Sequence, residues 1–326
     1  MASLDISPLN NKKILVTGCS GHLGMAMVDK LVQQGIYPTL LIHRNNEKIA
    51  SLAQQFQLPI VPVDLRNKIE LLQYPELAQM DIVLHLAAHV PQRVTEDEWE
   101  KALNTNVQGT MNLCSIMKPG SKFIFASTCE VYGLPQTPLM TEEHQVQPLS
   151  FYGASKVAAE LALQVFAKKK NIPLTILRFS SIYGPGETIE RALPNFIHAA
   201  LNGENLIIYG DGSDRRDFLY LDDAANYCLA AMINGKETIY NVASGQSYTL
   251  LDLAQKVIAL SPHKVGITFA ERKKPKTDYI FDLSKVRNDL GYFPVTSLEH
   301  GLRQEINWFR EMKEKNFRTI NTPKNC

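Results

Sequence analysis

The chain has 326 residues, 45% of them hydrophobic, with 34 Lys and Arg against 33 Asp and Glu and a formal charge of +1. That length fills one large core or two lobes, and the even charge gives no electrostatic reason to expect a nucleic-acid or anionic-membrane partner. No apolar run approaches the ~18 residues that span a bilayer, and Met1 to Lys13 lack the apolar centre of a signal peptide. The five cysteines (Cys19, Cys114, Cys129, Cys228 and Cys326) are scattered without CxxC spacing. They fit reduced thiols in a cytoplasmic protein, not a disulfide framework or a metal site.

In chain order, Lys13–Thr17 reads as a buried strand and Gly24–Gln34 as a helix with Leu23, Met27 and Leu31 on one face. Further strands are predicted at 39–43, 60–63, 82–86, 122–127 and 174–179. Helical patterns lie between most of them, notably 99–117 and 152–170. Such alternation implies an α/β fold: a doubly wound parallel sheet covered on both faces. After Ser180 the texture changes to short strands, at 206–209 and 265–269, and a final helix over 298–313. We expect a dinucleotide domain from 1–180 plus about 215–245, a smaller α/β substrate lobe from 181–214 and 246–315, and frayed ends, the C-terminal tail being 316–326.

Thr17-Gly18-Cys19-Ser20-Gly21-His22-Leu23-Gly24 follows the first strand and opens the first helix. Gly18 permits a tight turn, Gly21 lets the backbone approach a pyrophosphate, and Gly24 lets helix and strand pack closely. Gly18, Ser20, Gly21, His22, Leu23 and Gly24 are therefore candidate cofactor contacts. About 20 positions on, where the adenosine ribose is read, the chain has His43 and Arg44 and no carboxylate. An Arg there pairs with the 2′-phosphate of NADP, whereas an acid would favour NAD, so NADP is preferred.

Tyr152 and Lys156 lie four apart on a predicted helix, hence on one face. A neighbouring ammonium favours phenolate, so Tyr152 is expected to have a lowered pKa and to exchange a proton with a substrate hydroxyl. Thr128 follows the strand at 122–127 and is expected to bond the same substrate oxygen.

The motif set resembles the extended short-chain dehydrogenases known as NAD-dependent epimerase/dehydratases, across about residues 12–310. The resemblance matches Gly18, Gly21 and Gly24 to the glycine loop, Asp64-Leu65 to an adenine-contacting pair, and Leu86-Ala87-Ala88 to the loop beside the cofactor. It matches Asn106 to a helix Asn, and Thr128, Tyr152 and Lys156 to the Ser/Thr–Tyr–Lys triad, of which Tyr152 and Lys156 also meet the cofactor. The stretch from Tyr209 to Phe218 looks like the family's GDGxxxRDF segment, so Arg216, joined by Arg272, is expected to hold the diphosphate of a nucleotide sugar. A homodimer through a four-helix bundle, built from the helices at 99–117 and 152–170, is a further implication.

Two departures bear on the reaction. Ser181 stands where relatives often have Asn, at an expected substrate contact, and Cys129-Glu130 stands where family 4,6-dehydratases have Asp-Glu. The usual acid for water loss is thus missing, and Glu130 is left as a base, a structural carboxylate or a solvated residue near the substrate. A sugar-nucleotide 4-epimerase is the favoured reading. An NADPH-dependent keto-sugar reductase is the alternative, with a 4,6-dehydratase and a non-catalytic dinucleotide sensor behind it. The loops at 89–94 and 189–195 are expected to read the sugar.

Overall fold

A computed structural model of the chain describes residues 4–43, 46–91, 95–272 and 274–321. In chain order it runs β1 (Ile14–Thr17), α1 (His22–Gln33), β2 (Thr39–Ile42), α2 (Glu47–Phe56), β3 (Ile60–Pro62), α3 (Lys68–Leu71) and β4 (Ile82–His85). Next come α4 (Glu96–Ala102), a π-helical stretch (Leu103–Gly109), α5 (Thr110–Ile116), β5 (Lys122–Thr128), α6 (Phe151–Lys170), β6 (Leu174–Phe179) and β7 (Ser181–Tyr183). The remainder is α7 (Ala192–Asn202), β8 (Leu206–Tyr209), β9 (Arg215–Tyr220), α8 (Leu221–Asn234), β10 (Ile239–Val242), β11 (Ser247–Thr249), α9 (Leu250–Leu260), β12 (Ile267–Ala270), α10 (Ser284–Leu290) and α11 (Leu298–Asn321).

Seven strands form one parallel sheet in the order β10-β6-β5-β4-β1-β2-β3. Successive strand residues face opposite sides, so each strand feeds two cores. Ile14 and Val16 join the core under α1 and α8, while Leu15 joins the one under α5 and α6. Both faces are dry, which is why these strands read as unbroken apolar runs. The order reverses between β1 and β4, and the crevice beyond their C-terminal ends is where ligands bind in such sheets.

A third core joins α7, α9 and α11 to β7, β8 and β9. β9 pairs with β7 and β11, and β12 pairs with β8. β7 and β11 escape sequence reading because they are three residues each, and β9 because it opens on Arg215, Arg216 and Asp217. The expected strand at 265–269 lies at Ile267–Ala270, and the final helix runs on to Asn321. No helix among the described residues is long and apolar enough to cross a membrane. Cys19, Cys114, Cys129 and Cys228 are buried and free.

Candidate active site

β1 ends at Thr17, and the chain turns through Gly18 at φ +68°. A Cβ on Gly18 would lie 2.5 Å from Ala87 N, and one on Gly24 would lie 2.1 Å from the Gly18 carbonyl oxygen. Both positions exclude any side chain. Gly21 is the N-cap of α1 and gives it no side-chain cap. The first-turn N–H groups, at His22 and Leu23, therefore face the crevice bare, with exposed Ser20 at the loop tip. Bare backbone at a helix N-terminus over the sheet's switch point fits the pyrophosphate of a dinucleotide. The His22 ring leaves this loop for the substrate side, where Nε2 donates to Gly184 O at 3.1 Å and Pro185 O at 3.2 Å. Burial holds that ring below the usual imidazole range.

At the adenosine end, His43 follows β2, and its Nε2 lies 3.4 Å from Asp64 Oδ2. Arg66 forks onto Asp64 through Nε at 2.9 Å and Nη2 at 2.6 Å, holding the carboxyl below its ordinary value. Leu65 is a buried core side chain against which Gly109 packs. Arg44, the basis for preferring NADP, lies outside the described residues.

Beneath the glycine loop runs a chain of buried hydrogen bonds. Ala87 N donates to Thr17 Oγ1 at 3.2 Å, and Thr17 Oγ1 lies 2.7 Å from His85 Nδ1. His85 Nε2 lies 2.8 Å from Thr110 Oγ1, which donates its own proton to Asn106 O at 2.7 Å. Thr110 must then accept from His85, so the ring proton sits on Nε2 and Nδ1 accepts from Thr17. Burial, helped by the charge on Lys156, pushes His85 down to about 3 and keeps it neutral. Asn106, in the π-helical stretch, accepts from His89 N at 2.7 Å and donates to His89 O and Ser155 Oγ, each at 2.9 Å. Ser155 Oγ donates to Tyr152 O at 2.8 Å. Leu86, Ala87 and Ala88 are thereby held between the glycine loop and α6.

Thr128 closes β5, and its Oγ1 accepts from Glu130 N at 3.2 Å, leaving the hydroxyl proton without a partner among the described residues. Glu130 Oε2 accepts from Ser150 Oγ at 2.6 Å, and Ser150 in turn caps α6 by accepting from Gly153 N at 3.0 Å. A Cβ on Gly153 would lie 2.7 Å from the Glu130 carbonyl oxygen, so Gly153 lets α6 approach the turn after β5. Of the open roles for Glu130, the structural one has a visible partner. Lys156 is buried, donates to Ala126 O at 2.7 Å and lies 4.5 Å from the Phe125 ring centroid.

The expected effect of Lys156 on Tyr152 is not met. Burial first, and Glu130 second, push the Tyr152 phenol above its ordinary value, and Arg191 is the cation that opposes them. Lys156 Nζ is 5.8 Å from the Tyr152 ring centroid, and burial brings its own ammonium down to about 7 against the pull of Glu160. Glu160, one turn on, is gripped by Arg178 through Nη2 at 2.7 Å and Nε at 3.1 Å.

On the substrate side, Ser181, Arg191 and Arg216 line a cavity of about 200 Å³ together with Tyr183, Phe218 and Leu250. Arg216 Nη1 donates to Arg215 O at 2.9 Å and Thr277 O at 2.8 Å, and its guanidinium lies 4.9 Å from the Tyr279 ring centroid. Arg272 departs from expectation: it does not line that cavity. It pairs with Asp214 at 2.7 Å and Asp211 at 2.6 Å, its guanidinium pressed over Gly210. Two carboxylates neutralise it before any diphosphate arrives. No three His, Cys, Asp or Glu side chains among the described residues group to hold a metal.

Residues 14–243 match the profile of the NAD dependent epimerase/dehydratase family. The chain belongs to this family, and it is an enzyme of that class. It is 29% identical to the UDP-N-acetyl-alpha-D-glucosaminuronate decarboxylase of Bacillus cytotoxicus, over 93% of this chain and 99% of that one. It is 31% identical to a dTDP-glucose 4,6-dehydratase of Neisseria gonorrhoeae, over 93% and 97%. The UDP-glucose 4-epimerase of Thermotoga maritima with UDP-glucose superposes with a TM-score of 0.83 at 27% identity, covering 92% of this chain and 99% of that one. The UDP-glucuronic acid 4-epimerase of Bacillus cereus, in complex with UDP-glucuronic acid and NAD, gives 0.80 at 27% over the same shares. These relatives are named for nucleotide sugars, and the Bacillus cereus structure also holds NAD.

Within this epimerase/dehydratase frame, sequence reasoning passed over three groups. Asp217, beside Arg216, is buried and accepts from Ser180 Oγ, Ser244 N, Ser244 Oγ and Gly245 N at 2.7–2.9 Å, tying β9 to the loop after β10. His85 escaped because it reads as one more residue of an apolar strand. Arg191 lies in a loop the sequence marked for reading the sugar without naming a side chain.

Proposed function

We propose that the chain is a sugar-nucleotide 4-epimerase. The observation that carries this reading is Cys129, the residue beside Thr128 where dehydratases have an acid. Its thiol is buried and pushed up to about 12, first by burial and then by Glu130, so it offers no proton for water loss. What remains at the strand end is a set suited to reversible oxidation of one hydroxyl. Thr128 has a free proton for the substrate oxygen, and Tyr152 carries the proton that leaves or returns there. Lys156, held by the Ala126 carbonyl, lies one turn along α6 from Tyr152, and Glu130 fixes the start of α6. A dinucleotide held by the glycine loop would supply a reversible hydride acceptor for the sugar carbon.

In this reading Gly18, Ser20, Gly21, His22, Leu23 and Gly24 cradle the pyrophosphate, and His43, Asp64 and Leu65 meet the adenosine. Ala87, Ala88 and Asn106 shape the nicotinamide side, and Arg216 with Ser181 holds the substrate diphosphate. The proposed cofactor is NADP, resting on His43-Arg44 and the missing carboxylate; the Bacillus cereus epimerase holds NAD. An NADPH-dependent keto-sugar reductase is the second reading, supported by that same pair. We also propose a homodimer through α5 and α6, on the strength of Leu161 and Val165, which sit one turn apart and are 58% and 60% exposed.

The test is mass spectrometry of nucleotide released by gentle denaturation. Stoichiometric NADP or NAD supports an epimerase that recycles its cofactor. An empty protein that binds NADPH more tightly than NADH supports the reductase.

A further inference from the structure

His22 is the first residue of α1, so its backbone N–H belongs to the bare first turn suited to a pyrophosphate. Its side chain goes elsewhere. Gly184 O lies 3.1 Å from the ring Nε2, and Pro185 O lies 3.2 Å from it. Carbonyl oxygens only accept, so Nε2 carries the proton and one N–H is shared between the two. The loop that supplies them has Gly184 at φ +141° and Gly186 at φ +98°, which side-chain-bearing residues rarely adopt. An added Cβ on Gly186 would lie 3.5 Å from His22 Cδ2, so the ring edge rests against this turn. The other glycine-loop side chains turn away from it. Cys19 Sγ donates to Leu41 O in β2 at 3.7 Å, Ser20 is exposed, and Leu23 packs against the core under α1.

The gripped turn lies between two walls of the substrate cavity. Ser181 and Tyr183 precede it in β7, Glu187 and Arg191 follow it, and all four line that cavity with Arg216. Glu187 N donates to Gly184 O at 3.2 Å, so the carbonyl held by His22 also closes the turn that returns Glu187 to the wall. One residue thus has its backbone at the cofactor loop and its ring on the frame of the second ligand's cavity.

We propose that His22 is a positioning residue whose ring latches the Gly184–Glu187 turn to the glycine loop, so that a bound dinucleotide sets the wall of the nucleotide-sugar cavity. This rests on the sugar-nucleotide reading above and adds a coupling between its two ligands. A pyrophosphate on the first-turn N–H groups fixes the backbone at His22, and the ring then restricts the turn before the sugar nucleotide arrives. The second ligand has less left to order, and by linkage it tightens the first by the same factor. An enzyme that returns hydride to the same sugar must lose neither ligand midway, and this coupling holds each while the other is present.

The experiment follows hydrogen exchange over residues 181–191 of the full chain, with and without saturating NADP or NAD, in wild type, His22→Phe and His22→Gln. Phe keeps a ring and removes the donor, whereas Gln returns an amide donor. In wild type the dinucleotide is expected to slow exchange at Glu187 about 3–10-fold, the range of one neutral hydrogen bond. His22→Phe should lose that protection, and His22→Gln should regain part of it. Calorimetry with UDP-glucose and dTDP-glucose reads the coupling: wild type should bind one of them about 3–10-fold more tightly with dinucleotide present. His22→Phe should bring that ratio close to one, and His22→Gln should restore part of it. The ratio is taken within each variant, so a general effect of the substitution on either ligand cancels. Protection of the turn that survives in His22→Phe overturns the inference. So does a nucleotide-sugar affinity that falls equally with and without dinucleotide, which makes the ring a packing group only. Protection through His22 with binding of neither sugar nucleotide upholds the latch and sinks the substrate reading. A wild type that binds no dinucleotide sinks the functional reading, and the latch with it.

Discussion

Thr17 Oγ1 and His85 Nδ1 lie 2.7 Å apart, both fully buried, at the point where the glycine loop leaves the sheet. Their bond starts a relay that ends at the backbone of Tyr152, so the loop that would hold the cofactor and the helix carrying the phenol are positioned by one polar chain. His85→Phe removes both ring nitrogens and leaves Thr17 and Thr110 each short of a partner, at a cost of about 1–3 kcal/mol. His85 is pushed down to about 3 from an ordinary value of 6.5. The unfolded chain therefore binds the extra proton first, and the ring's stability contribution is complete above pH 6.5 and is lost as pH falls towards 3. Melting at pH 7 and pH 4.5 should show a smaller acid-induced loss in His85→Phe than in wild type.

The buried pair of Arg178 and Glu160 predicts an asymmetry. Glu160→Gln leaves a guanidinium unpaired at 5% side-chain exposure, and about 3–5 kcal/mol of stability should go with it. The double replacement Glu160→Gln with Arg178→Met should recover part of that loss, because no buried charge remains alone. Thermal melts of the single and double variants check both.

How much of this was legible beforehand varies with the physics of each part. The parallel sheet was readable because strands buried on both faces must be apolar throughout, and the glycine loop because its turn and close approaches exclude a Cβ at Gly18 and Gly24. Tyr152, Lys156 and Thr128 were found by position after a strand and on one helix face. The direction of the Tyr152 shift was not, since it depends first on the burial of the phenol and then on Glu130, neither of which chain spacing reveals. Arg272 misled because Asp211 and Asp214, close in sequence to Arg216, fold back onto it. In the smaller lobe the apolar strands β8 and β12 were readable, whereas β9 carries Arg215, Arg216 and Asp217 and was not.

Glu305 sits in α11 with both carboxylate oxygens buried and without a hydrogen-bond partner among the described residues. Burial, with Glu187 adding repulsion, pushes it up to about 8 from 4.5. Its folded state holds the proton more tightly than the unfolded chain, so stability is fully present below pH 4.5 and is lost as pH rises through about 8. Glu305→Gln should match wild type at pH 4.5 and melt at least about 2 °C higher at pH 9. Equal melting at both values would show that the carboxyl is not held neutral.

Leu161 and Val165 give the dimer proposal its handle. Leu161→Asp with Val165→Asp should convert a dimer to a monomer in sedimentation, with little change in the monomer's melting, because both side chains are mostly exposed within one chain. A wild-type protein that sediments as a monomer removes the proposal.

The most direct test of the central claim follows nucleotide hexoses and hexuronic acids by NMR in the presence of catalytic dinucleotide. The account predicts interconversion of 4-epimers from either side, with no net consumption of cofactor and a fall of about 10²–10⁴-fold in Tyr152→Phe. Stoichiometric oxidation of NADPH, or a product that has lost water or carbon dioxide in place of the 4-epimer, would contradict it.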